Sequence, residues 1–311
     1  MFNFNHMFHQ NVATLLTLPK PERARLPNGD IEYIVHGEGK PILILHGGVG
    51  GYDQSLILFR NLIPHGYKLI CPSRPGYLGT PLASGKSIDA QVELINQLLE
   101  HLQIDEITII AMSAGGLILY PFTIKYPKKV KSIIAISAIS QKYMLPEQVS
   151  RWAQSFFMSD VGLWLTKESF QMFPEMTIKK FLDSGSAIQP EQMTKRVNEI
   201  LASPTEMALM SEIIALMTDY SVREAGTTND ILNGENLDKF ELNKISCPSL
   251  IIHGTHDNEV RFYNGVYAHE DTNSTIKERI WIDYGTHFSF FFATQNDNAQ
   301  VKFMDFIEKH N

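Results

Sequence analysis

A run of β-branched residues that stops abruptly on small ones constrains this chain most. Ile107, Thr108, Ile109 and Ile110 read as a buried strand, and Ala111-Met112-Ser113-Ala114-Gly115-Gly116 follow directly. An apolar run from Leu117 to Phe122 then resumes as a helix. Strand, tight turn and helix therefore meet at Ser113. A serine there stands on a sharp bend with its hydroxyl exposed and a helix N-terminus behind it. The small residues Ala111, Ala114 and Gly115 suit such a bend, because larger side chains would collide with the adjoining strand and helix.

The same punctuation recurs along the chain. Asn28-Gly29 predicts a hairpin turn between Ala24–Leu26 and Ile31–Val35. Pro41–Leu45 is a continuous apolar run, typical of a strand covered on both faces, and it runs into His46-Gly47-Gly48-Val49-Gly50-Gly51. That glycine cluster lacks the spacing of a phosphate-binding loop and has no Walker lysine. Its remaining use is to point backbone N–H groups at a developing negative charge, an oxyanion hole. Asp53–Ile63 has helical spacing with Asp53 as its N-cap. Tyr67–Cys71 is the next strand, ending in the turn-rich loop around Arg74, to which we give a structural role. Ser87–Leu102 is an amphipathic helix and Val130–Ser137 another buried strand. Two more strands, Cys247–Ile252 and Ile276–Ile282, lead into His253-Gly254-Thr255-His256-Asp257 and Tyr284-Gly285-Thr286-His287-Phe288. Ala299–Lys309 closes the chain as a helix.

Between about Tyr143 and Leu237 no strand is expected. This stretch reads as helices rich in Met and aromatics, among them Trp152, Phe156, Phe157, Met158, Trp164, Phe170 and Met172. Singly, each of these is expected in a helical core; together they leave some to face a cleft, and so an apolar pocket. Asp230, near the return, reads as a helix or turn cap.

These motifs, in this order, resemble the α/β-hydrolase superfamily, specifically its capped serine hydrolases. The likeness rests on H-G-G at 46–48, the elbow A-M-S-A-G at 111–115 with Ala111 in place of the usual first glycine, H-G-x-x-D at 253–257 and G-x-H at 285–287. It implies a mostly parallel central sheet flanked by helices, with an inserted helical cap. The expected division is an N-terminal arm over 1–24, a core over 25–141 and 239–311, and the cap over 142–238. It also implies a triad of Ser113, Asp257 and His287, with oxyanion or substrate-binding contacts from Gly48, Ala114 and Gly47. His46 is read as structural, and His253, His256 and His269 lose to His287 because none follows the last strand. An aspartate at the elbow would have signalled a dehalogenase or epoxide hydrolase. Val49 and the A-M-S-A-G elbow depart from the H-G-G-P-G and G-G-S-W-G of proline iminopeptidases.

The implied reaction is acyl transfer from a small, partly apolar ester to water, without a cofactor. Lactone, thioester, amide and C–C bond hydrolysis use the same triad, and a non-catalytic ligand-binding protein on the same fold is the alternative of another class. The partner is a small acyl substrate. A net charge of -7 and the lack of a basic stripe argue against nucleic acid. No signal peptide, transmembrane span or metal cluster is read, and Cys71 and Cys247 are expected as free thiols in a cytoplasmic protein. Oligomeric state has no sequence signal.

Overall fold

A computed structural model describes residues 18–144, 159–183, 188–292 and 298–311. Its frame is an eight-stranded sheet in the order β1-β2-β4-β3-β5-β6-β7-β8, built from β1 (Glu22–Leu26), β2 (Gly29–His36), β3 (Lys40–Leu45), β4 (Tyr67–Pro72), β5 (Ile107–Met112), β6 (Val130–Ile136), β7 (Ser249–Gly254) and β8 (Lys277–Ile282). β1 and β2 form the expected Asn28-Gly29 hairpin, with the first strand starting at Glu22, and β2 joins β4 antiparallel. Every other pairing is parallel.

Side-chain alternation divides the core. Ile42 and Ile44 face one side of the sheet, with helices α1 (Tyr52–Phe59) and α10 (Ala299–His310); Leu43 and Leu45 face the other, with α2 (Ile88–His101) and α3 (Gly116–Lys125). Because β3, β5, β6 and β7 are buried on both faces, their sequences are continuous apolar runs rather than alternating ones. Ser87 caps α2 by accepting the Ala90 N–H at 3.2 Å. Asp53 does not cap α1. Gly51 holds that position, and the Asp53 carboxylate is drawn instead to a distant arginine.

β6 and β7 are neighbours in the sheet, yet the chain between them carries α4 (Asp160–Met172), α5 (Pro174–Asp183), α6 (Pro190–Ala202), α7 (Pro204–Met217) and α8 (Glu224–Asn236). An antiparallel bridge between Gln141 and Lys239 closes the neck of this insertion. Its helices bury Phe170, Ile178, Met193, Val197 and Ile213 against one another and the sheet-side cluster. The expected burial of its aromatics holds for Phe170 but not for Trp164 or Met172, which are exposed; Trp152, Phe156, Phe157 and Met158 lie outside the described residues. Between β7 and β8 runs α9 (Tyr263–Asp271). Cys71 and Cys247 are both free thiols. Among the described residues no single helix is long and apolar enough to cross a membrane, and no group of His, Cys, Asp and Glu could hold a metal ion.

Candidate active site

β3, β5, β7 and β8 all end at the carboxyl edge of the sheet, and each releases one functional loop there. At the end of β5, Ser113 has φ of 53°, a left-handed conformation unusual for a residue with a side chain. The turn holds that strain because its neighbours have no bulk. A Cβ on Gly115 would run into the Leu45 carbonyl, and one on Gly116 into the Ile139 carbonyl. After the Ser113–Gly115 turn, α3 starts at Gly116, so the Ala114 N–H precedes any intrahelical acceptor.

The glycine loop after β3 is held by polar contacts on both sides. His46 is buried, donates through Nδ1 to the Gly47 carbonyl at 2.7 Å and accepts the Arg74 N–H on Nε2 at 2.9 Å. Burial, with the Arg74 charge beside it, pushes its pKa well below the ordinary range, so it stays neutral and structural. The Gly47 N–H donates to Gln54 Oε1 at 3.0 Å, and the Val49 N–H to Thr227 Oγ1 at 3.2 Å. Those two donors are occupied, which takes Gly47 out of the set of free N–H groups. Gly48 lies between them, facing open space.

β7 and β8 bring the charged pair together. A Cβ on Gly254 would strike the Gly285 carbonyl, so glycine here allows the loops after the two strands to touch. The His256 N–H donates to the Gly285 carbonyl at 2.8 Å across that contact. As a result His287 Nδ1 lies 2.8 Å from Asp257 Oδ2, while Asp257 Oδ1 accepts the Glu259 and Val260 N–H groups, each at 3.0 Å. Burial alone would raise the Asp257 carboxyl, but the His287 charge and hydrogen bond, His253 and the Val260 N–H together hold it below the ordinary carboxylate value. Burial would likewise lower His287; the carboxylates of Asp257 and Glu259 outweigh it and raise the imidazole to about 9. Glu259 Oε2 is 3.8 Å from His287 Nε2, and no hydrogen bond joins that ring to Ser113. Of the other candidate histidines, His253 Nε2 contacts the Val260 carbonyl at 2.8 Å and lies 3.4 Å from Asp257 Oδ2, His256 stacks on Tyr284, and His269 packs edge-on against Trp281.

Ser113, Ala114, Gly48 and His287 open on a common cavity of about 440 Å³, walled by Met112, Ile139, Leu163, Phe181, Met217 and Phe288. Three bidentate arginine–carboxylate pairs fasten the insertion beside it. Arg74 binds Asp230 at 2.5 and 2.8 Å, with Tyr77 donating to the same carboxylate at 2.6 Å. Arg223 reaches Asp53 at 2.6 and 3.1 Å, and Arg60 reaches Glu212 at 2.7 and 3.0 Å. Asp230 therefore caps nothing: it sits inside α8, and Arg74 joins it to the His46 and Gly47 carbonyls.

A family model for the alpha/beta hydrolase fold matches residues 40–294, spanning every one of these loops. The chain belongs to the α/β-hydrolase fold family. Across 260 residues it is 28% identical to a protein named as an uncharacterized hydrolase, YcgS, of Bacillus subtilis, covering 82% of this chain and 88% of that one. A shorter stretch of 109 residues is 31% identical to a proline iminopeptidase of Heyndrickxia coagulans, 32% of this chain and 35% of the relative. An alpha/beta hydrolase fold protein from Nakamurella multipartita superposes with a TM-score of 0.83 at 24% identity, covering 94% of this chain and all of that one. Of the residues singled out in the sequence, Ser113, Gly48, Ala114 and His287 line one cavity and Asp257 contacts His287. Gln54, Thr227 and Glu259, which line the same cavity, carried no sequence signal. They lie on helix or loop positions whose importance comes from contacts across the fold, and no local pattern marks them.

Proposed function

We propose that this α/β-hydrolase is a serine hydrolase that cleaves a small, partly apolar ester, with the helical insertion acting as a cap over the site. The observation that carries this reading is the His287–Asp257 contact of 2.8 Å opening on the same cavity as Ser113, which the elbow holds at φ of 53°. Ser113 Oγ attacks the acyl carbon as His287 takes its proton, and Asp257 orients the ring and balances its charge. The oxyanion is received by the N–H groups of Gly48 and Ala114. His287 then protonates the leaving alcohol and activates the water that releases the acid. In this reading the elbow serine and His287 meet only when substrate closes the gap, since catalytic hydrogen bonds are often long without it. The partial likeness to a proline iminopeptidase favours amide hydrolysis as the second reading.

A fluorophosphonate tests the assignment directly. Intact mass should show one adduct on the wild type, none on Ser113→Ala and little on His287→Ala. No adduct on folded wild type removes the activated serine. An ester and prolyl-amide panel then separates the two readings.

The site's electrostatics predict its pH profile. General base catalysis needs neutral His287, so kcat/KM should climb with pH through about 9. Glu259→Gln removes one of the two charges that favour the imidazolium, and its acid limb should move to lower pH. Stability runs the other way. A histidine raised above its ordinary 6.5 stabilises the fold most below that pH and loses this contribution as pH rises through about 9. A rate profile flat from pH 6 to 10, the same in both proteins, would contradict the rate predictions, and an unfolding free energy from denaturant titration that does not fall across that range would contradict the stability one.

A further inference from the structure

The cavity holds polar groups that acyl transfer does not use. Gln54 is 4% exposed, and its orientation is set by need: the Gly47 N–H requires an acceptor, which places Oε1 toward the glycine loop at 3.0 Å. Its Nε2 is then a donor with no partner among the described residues, yet it is not sealed in protein, because the side chain lines the cavity. Lys180 on α5 lines the same cavity from the insertion side and makes no ion pair among the described residues. Tyr143, also lining it, has no hydrogen bond to its hydroxyl, and burial raises its pKa so that it remains a neutral donor.

The carboxylates facing the cavity are differently placed. Asp230 is saturated by Arg74 and Tyr77, and Glu259 lies against His287. Gln54 Nε2, Lys180 and the Tyr143 hydroxyl are thus donors open to the cavity, and a bound group that supplies acceptors would satisfy them.

We propose that Lys180 is the anion-accepting group of this cavity, with Gln54 as a neutral donor to the acyl portion, and that the substrate is an acyl compound carrying a carboxylate apart from the bond that is cleaved. This rests on the reading of the cavity as the hydrolytic site. Gln54 sits beside the oxyanion loop and takes an acceptor on the acyl portion. Lys180, contributed by the insertion, supplies the opposite charge for the anionic end. The apolar lining residues contact the carbon chain.

Binding measured without turnover separates this subsite from the reaction itself. Ser113→Ala protein would be titrated calorimetrically with the mono-anilides of glutaric acid, pentanoic acid and 5-aminopentanoic acid, which are anionic, neutral and cationic versions of one shape. The anion should bind at least about tenfold tighter than the neutral compound and the cation weakest. Lys180→Met should remove most of that preference and Lys180→Arg retain it; Lys180 is exposed, so neither change threatens folding. Gln54→Glu, which keeps an acceptor for Gly47 but replaces the donor with a negative charge, should abolish or invert the preference. Equal binding of the three, tighter binding of the cation, binding of none, or a preference untouched by Lys180→Met overturns the subsite. Wild-type turnover of neutral aryl esters reports on the serine reaction independently.

Discussion

Ser113→Ala is expected to lower kcat/KM for a turned-over ester by about 10⁴- to 10⁶-fold, the range over which removing a nucleophile leaves only oxyanion and binding contributions. Its fold should survive. The change removes one oxygen that makes no hydrogen bond among the described residues and leaves the small-residue packing around Gly115 and Gly116 untouched. His287→Ala should cost about as much, and the double variant little more than either alone, because the two groups act as a unit. The check is steady-state kinetics on all three proteins with thermal unfolding alongside. Residual activity within tenfold of wild type in Ser113→Ala would move the chemistry to another residue.

The largest expected stability effect lies at Asp230→Ala. The Arg74 side chain is 1% exposed, and its guanidinium would lose two charge-assisted hydrogen bonds. Tyr77 would lose the acceptor for its buried hydroxyl as well. Breaking a buried pair on one side costs about 3–5 kcal/mol, more than most single substitutions. Removing both partners, as in Arg74→Met with Asp230→Leu, should recover a substantial part of that loss, since the uncompensated charge is gone. Chemical denaturation of the two single variants and the double variant measures this coupling. Additive losses would mean that Arg74 finds other acceptors, with the His46 and Gly47 carbonyls at 3.1 and 3.4 Å the nearest.

How much of this was legible in the chain itself depends on the range of the contacts involved. The elbow, the glycine loop and the two late loops announced themselves because each couples a local signal to a strand end: β-branched runs that stop on small residues. Their order along the sequence, together with a sheet whose parallel strands open on one edge, was enough to bring Ser113, Asp257 and His287 to the same face. Asp53 shows where such reading fails. Its position suited a helix cap by every local rule, yet Arg223, 170 residues later, claims the carboxylate. Asp230 fails likewise, its pairing with Arg74 spanning 156 residues. Glu259 and Gln54 carry no pattern at all; one matters through a 3.8 Å approach to His287, the other through a single amide facing Gly47. The insertion was legible as helical but not in its facing, because Met and aromatic residues at helical spacing pack inward or turn outward according to neighbours the sequence does not name.

The three arginine fastenings have a consequence for anyone who would recombine this fold. Each joins one residue of the insertion to one of the sheet-bearing part: Glu212 to Arg60, Arg223 to Asp53, Asp230 to Arg74. The bridge at Gln141 and Lys239 is a tempting splice point, since both ends of the inserted chain pass there. Yet a graft cut at that point would leave Asp53 and Arg74 behind as buried, unmatched charges. The portable unit is therefore discontinuous. It consists of the helices from α4 to α8 together with three residues that lie more than 60 positions upstream of the splice, and a chimera that carries only the contiguous piece inherits the shape without its attachments.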